Sequence, residues 1–206
     1  MTINLKMRIK MNRKVLSLGS VFAIAIIVTV FTLSFTSPSD GDDAGNADMV
    51  KRGEYMVMMG GCNDCHSPKI MTDNGPMPDP KRLLSGHPAN AKLPAVDASM
   101  IGPGKWMLFS DDLTCAVGPW GMSFSANLTP DDQTGIGLWK AENFIQALRT
   151  GKHMGAGRAI LPPMPWFNFM NAKEEDLRAI FAYLKSLPPI KNQVPAPVPL
   201  NELSSK

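Results

Sequence analysis

The sequence predicts an all-α domain with long irregular loops, behind one N-terminal transmembrane helix. Three observations lead there. Residues 15–35 form a run without a single charge. Apolar residues recur at helical spacing within 138–150 and again within 177–187. Between them, residues 67–125 are interrupted by Pro68, Pro76, Pro78, Pro80, Pro88, Pro94, Pro103 and Pro119, so no helix can run through. A length of 206 residues, 44% of them hydrophobic and 19% charged, suits one globular domain with appendages.

The N-terminus carries Lys6, Arg8, Lys10, Arg13 and Lys14 and no acid before residue 38. Residues 1–14 therefore read as a basic cytoplasmic segment, and 15–35 as a transmembrane anchor. A helix rising 1.5 Å per residue crosses the roughly 30 Å hydrocarbon core in that length. A cleavable signal has a shorter apolar region, about 7–15 residues, and a small-x-small exit. The exit here, Leu33-Ser34-Phe35-Thr36-Ser37-Pro38, is a poor site. An uncleaved anchor with its basic end inside is the reading, and a cleaved signal is the alternative. Both place the remaining chain on the periplasmic side of a bacterial inner membrane. That remainder is slightly acidic once the five N-terminal bases are set aside. It holds no basic stripe of the kind that binds nucleic acid, which excludes DNA and RNA as partners.

Residues 36–47 are rich in Ser, Pro, Gly and Asp and read as a flexible tether. Asp48 can cap a helix over 49–60. Val50, Gly53 and Val57 share one face of it, where the glycine would let another helix cross closely. There follows Cys62-Asn63-Asp64-Cys65-His66, the Cys-x-x-Cys-His signature of covalent haem attachment. Residues three and four apart share a helix face, so both thiols and the imidazole can meet one flat macrocycle. Cys62 and Cys65 would bind haem c as thioethers, and His66 would ligate its iron. A zinc site needs four ligands, and no second Cys-x-x-Cys exists. A thioredoxin-like dithiol wants a βαβ context that the flanks lack. A disulfide across four residues would be strained and would leave His66 without a role. Cys115 remains, and reads as a buried apolar thiol.

The irregular layer 67–125 is long enough to demand a reason, and wrapping a cofactor supplies one. Its Trp106, Phe109, Trp120 and Phe124 can pack on a ring or form a satellite core. Lys69, Lys81, Arg82, Lys92 and Lys105 sit in the same layer, and His87 reads as a loop residue. A helix is predicted over 138–150, apolar through Trp139, Phe144, Ile145 and Leu148 and ended by Gly151. A second irregular stretch, 151–169, contains Leu161-Pro162-Pro163-Met164-Pro165-Trp166. Asn171 with Glu174 resembles a capping box. The last helix carries Leu177, Ile180, Phe181, Leu184 and Leu187 and stops before Pro188-Pro189. Residues 48–190 thus make the domain, and 191–206 an extended proline-rich tail.

His66 alone would leave one iron face open. A thioether closes that face, favours ferrous iron and raises the potential. Among 15 methionines, Met164 stands out because prolines stiffen its backbone on both sides. His153 is the rival ligand, and Met154, Met122 or an open position are further alternatives.

These residues resemble the class I cytochromes c and, more narrowly, the cytochrome subunits that accompany membrane alcohol and aldehyde dehydrogenases. The similar segments are Gly53-Glu54-Tyr55, Gly61-Cys62-Asn63-Asp64-Cys65-His66, Asn127-Leu128-Thr129-Pro130-Asp131, Thr134-Gly135-Ile136-Gly137-Leu138-Trp139, Ala147-Leu148-Arg149-Thr150-Gly151, Pro163-Met164-Pro165-Trp166 and Ala182-Tyr183-Leu184. They cover most of 53–195. The resemblance implies a class I cytochrome c fold with first and last helices packed across each other, and His66 and Met164 as axial ligands. Those subunits generally carry several haem domains; this chain has one haem motif. The expectation is a membrane-anchored monohaem cytochrome in a respiratory chain, an electron carrier rather than an enzyme. Its partners would be redox proteins: a dehydrogenase, an oxidase or another cytochrome. A haem enzyme or gas sensor with an open distal site is the alternative.

Overall fold

The structure, a computed structural model, describes residues 40–203. The basic segment 1–14 and the anchor or signal run 15–35 lie outside the described residues. No helix among the described residues is long and apolar enough to cross a membrane. The chain divides into two units, Met1–Asp43 and Ala44–Lys206. The second holds the Cys-x-x-Cys-His motif and, apart from the first turn of the first helix, every helix and strand among the described residues.

Helix α1 spans Asp40–Met59. No proline occurs in it, so the helix continues upstream through residues whose composition alone reads as a tether. Gly53 is where it meets the last long helix, α4 (Glu174–Ser186). A Cβ at Gly53 would collide with the Ala179 carbonyl oxygen and lie 2.8 Å from the Tyr183 Cβ. The two helices therefore cross at backbone contact, as the small residue anticipates. Arg52 Nε donates to Asp176 at 2.9 Å beside the crossing.

A five-residue helix, α2 (Cys62–His66), follows at once. Helix α3 occupies Ala141–Thr150, beginning later than the periodicity suggests because the Lys140 N–H turns to Asn143 Oδ1 at 3.0 Å. Gly151 ends it in the left-handed conformation (φ 66°), its N–H donating to Ala147 O. At the start of α4 no capping box forms from Asn171; Lys173 is the N-cap and makes no side-chain cap bond. Glu174, Glu175 and Asp176 instead place negative charge on the helix's positive end.

The core is made by Val57 of α1, Phe144, Ile145 and Leu148 of α3, and Leu177, Ile180, Phe181 and Leu184 of α4, with Leu84 and Ile136 added from loops. Phe144 and Phe181 stack at 5.6 Å between ring centroids. Burying each such side chain contributes about 1.5–3 kcal/mol.

The domain is not purely all-α. Within the layer expected to be irregular, β1 (Lys69–Thr72) pairs antiparallel with β2 (Gly75–Pro78). A second sheet has the order β3 (Leu108–Phe109), β4 (Cys115–Gly118), β5 (Gly121–Phe124), all antiparallel. These strands are two to four residues long, too short to display a period of two. Two prolines in β2 disguise it further, since proline is tolerated only at an edge. A last short helix, α5 (Leu200–Leu203), closes the described chain.

Candidate cofactor site

Helix α2 is held by hydrogen bonds at both ends. Gly61, in the left-handed conformation, joins it to α1, and the Asp64 N–H donates back to Gly61 O at 3.0 Å. At its other end Lys69 Nζ donates to the carbonyls of Asn63, Asp64 and Ser67 at 3.1, 2.8 and 2.6 Å. This ammonium caps the negative end of the helix, and burial pulls its pKa down. Ser67 Oγ donates to Asn63 Oδ1 at 2.7 Å and accepts from the Leu84 N–H at 2.8 Å. The Gly86 N–H donates to His66 O at 2.8 Å.

His66 is oriented by the Ala126 carbonyl, 2.8 Å from its Nδ1. A carbonyl only accepts, so Nδ1 carries the proton and Nε2 keeps its lone pair. Burial pushes the imidazole pKa down, with the Ala126 bond opposing it. The ring is therefore neutral at pH 7. Burial also raises the Cys62 thiol to about 11 and raises Cys65.

These three residues line a cavity of about 730 Å³, within the ~300–1,000 Å³ range of small-molecule and cofactor sites. Phe144, Ala147 and Leu148 of α3 and Ile180 and Leu184 of α4 form apolar walls. Met164 lines the same cavity and packs against the core. His153 also reaches it, its ring edge-on to Trp139 at 4.9 Å. Met122 and Met154 are not among the lining residues. Met122 pairs through its backbone with Val198, and Met154 is 41% exposed. Of the four side chains weighed as second ligand, two remain at the cavity.

Of the loop-layer aromatics, Phe124 lines the cavity, whereas Trp106 is 70% exposed. Cys115 is buried on β4 and lines the wall, its thiol pushed up to about 11 by burial. His87 lies in a loop, as expected, and is buried there: it is 2% exposed and packs on Phe124 at 4.9 Å between ring centroids. Its Nδ1 lies 2.7 Å from Thr114 Oγ1. That hydroxyl donates to the Asp112 carboxylate at 2.8 and 2.9 Å, so it accepts from the histidine. Burial lowers the His87 pKa, with Asp112 opposing it.

The tail supplies wall residues that sequence reasoning placed outside the domain. Residues 193–197 line the cavity. Asn192 anchors them, donating to the Ser85 and His87 carbonyls at 2.7 and 2.9 Å and accepting from the Ala89 N–H at 3.0 Å. Val198 and Met122 exchange two backbone bonds at the other end. Asn127 and Thr129 tie Ile190, with Asn127 Nδ2 donating to its carbonyl at 2.7 Å and Thr129 Oγ1 accepting from its N–H at 3.1 Å. The signal for this was the segment Asn127-Leu128-Thr129, whose polar residues are buried.

A Cys-x-x-Cys-His turn on the wall of an apolar cavity between helices is the arrangement that a c-type cytochrome requires. Similarity to known proteins points to the same class. No protein-family model matches the chain. It is 31% identical over 152 residues to the gluconate 2-dehydrogenase cytochrome c subunit of Pantoea cypripedii, covering 74% of this chain and 26% of that one. It is 29% identical over 187 residues to a nicotinate dehydrogenase subunit of Pseudomonas putida, covering 87% and 12%. With the cytochrome c subunit of the quinone alcohol dehydrogenase of Gluconobacter oxydans it shares 27% over 180 residues, covering 87% and 29%. The chain is thus a homologue of the cytochrome c subunits of dehydrogenases, and it spans less than a third of the length of each of these three relatives.

Proposed function

We propose that this chain is a monohaem c-type cytochrome that passes single electrons on the periplasmic side of the inner membrane. Residues 15–35 hold it there, and a dehydrogenase, an oxidase or another cytochrome is its partner. Cys62 and Cys65 attach the haem, and His66 and Met164 are the axial ligands. The domain runs from 48 through the cavity-lining tail residues.

One observation carries this reading: two thiols, a neutral imidazole with its Nε2 lone pair uncommitted, and a thioether all line one apolar cavity of cofactor size. That donor set fits a haem. Bound there, a haem supplies a one-electron couple. The Ala126 carbonyl fixes the tautomer and orientation of His66. Phe144, Leu148, Ile180 and Leu184 give the cavity an apolar wall, beside which added charge is penalised. Arg158, the one lysine or arginine among the described lining residues, would balance the carboxylates that a haem brings.

The test is spectroscopic. Acidified solvent extraction should leave colour on the protein, with one haem iron per chain, and Cys62→Ala with Cys65→Ala should abolish it. Met164→Ala should remove the methionine–iron charge-transfer absorption of the oxidised protein, and His153→Ala should retain it. The reverse pattern would transfer the ligand role to His153. Ready binding of carbon monoxide by the wild-type ferrous protein would favour an open distal site.

A further inference from the structure

We propose that Ser123 is a positioning residue for Met164: through one buried hydroxyl, the β4–β5 hairpin sets how firmly the thioether is held at the cavity. The inference rests on the reading of Met164 as axial ligand.

Pro162, Pro163 and Pro165 have no N–H, so the strap around Met164 has few donors with which to tie itself down. Before it, the Ile160 N–H donates to Gly151 O at 2.8 Å; after it, the Asn168 N–H donates to Pro165 O at 3.0 Å. Among the described residues, a single hydrogen bond reaches 161–164, from Ser123 Oγ to the Pro162 carbonyl at 2.6 Å. Ser123 is buried, 7% exposed, so water is poorly placed to replace that bond.

The hydroxyl is itself directed. Trp120 Nε1–H donates into Ser123 Oγ at 3.1 Å, occupying an acceptor site and leaving the single proton of Ser123 to be given away. Its two candidate acceptors are Pro162 O at 2.6 Å and Ala116 O at 3.4 Å, and the shorter bond takes it. The Trp120 ring lies so close over Gly118 that a Cβ there would collide with it, which fixes the indole. Ser123 and Met164 both line the cavity. Tryptophan, serine and proline carbonyl thus form a strut from a sheet the helices do not include to the strap that carries the ligand.

A sixth ligand is displaced when its strap opens, so the strut is read by how easily an outside ligand replaces Met164. In the oxidised holoprotein, Ser123→Ala should raise the apparent affinity for imidazole roughly fivefold to tenfold, the worth of one buried hydrogen bond. It should also weaken the methionine–iron absorption. Ser123→Thr, which keeps the hydroxyl, should restore both. Trp120→Phe, which keeps a ring and removes the N–H, should raise imidazole affinity by a smaller factor, about twofold. In a Met164→Ala background, Ser123→Ala should change imidazole affinity no further. An equal effect in both backgrounds, or no effect of Ser123→Ala and Trp120→Phe in the wild-type background, overturns the strut. Should Ser123→Ala fail to fold, Trp120→Phe decides alone. If Met164→Ala itself leaves the absorption intact, the ligand assignment fails instead, and the two failures are distinguishable.

Discussion

Among the described residues, helices α1, α3 and α4 bury apolar side chains alone, whereas the loops and strands bury apolar and polar side chains together. Helices α1, α3 and α4 contribute Val57, Phe144, Ile145, Leu148, Leu177, Ile180, Phe181 and Leu184 to one apolar core. The buried polar residues, Ser67, Ser85, His87, Thr114, Ser123, Asn127, Thr129 and Asn192, all lie outside those helices. Apolar burial is non-directional and tolerates adjustment. A buried hydrogen bond is directional, and leaving its partner unpaired costs about 1–3 kcal/mol. The helices can therefore set the frame, while the loops and tail fix cavity-wall groups individually: Ala126 on His66, Ser123 on the Met164 strap, Asn192 under residues 193–197.

That contrast can be broken from either side. The largest effect is expected at Leu177, fully buried in the helical core and absent from the cavity wall. Leu177→Ala should cost about 2–5 kcal/mol, read as a cooperative fall in Tm with the haem environment retained below the transition. Asn192→Ala should cost less, about 1–3 kcal/mol, by leaving the Ser85 and His87 carbonyls unpaired. Its signature is local: limited proteolysis should clip the tail near 191–199 while α3 and α4 stay protected. Cooperative loss of the whole domain at once would mean that the tail does not open separately from the helical core.

The smallest effect is pH-dependent and belongs to His87. Its folded pKa lies below the unfolded value of about 6.5 because burial disfavours the charged ring. Below about pH 6.5 the unfolded chain binds this proton more readily than the folded one. The contribution of His87 is thus present above that value and is lost as pH falls toward the lower folded pKa. Asp112, whose pKa is lowered by bonds from Ser110 and Thr114 that outweigh its burial, acts in a separate, more acidic window. His87→Asn, which keeps a donor for Thr114 Oγ1, should flatten the stability–pH curve between neutrality and mild acid. An unchanged curve would show that another group carries that dependence.

The sequence by itself determined what depends on near neighbours. Cys62, Cys65 and His66 share one face because spacings of three and four do so in any helix, and Gly151 ended its helix by a local conformation. The apolar period located α3 and α4, and Gly53 announced a close crossing. Tertiary structure decided the rest. It made strands of prolines and glycines between residues 69 and 124, placed Met164 and His153 at the cavity wall, turned His87 inward, and bound Asn192 to Ser85 across 107 positions. It also set Lys69 Nζ against the carbonyls at the end of α2 and Lys105 Nζ against the Ser99 carbonyl. The physical reason is range: a helix face is written in consecutive residues, whereas a buried polar bond between distant segments exists only once the whole domain has brought them together.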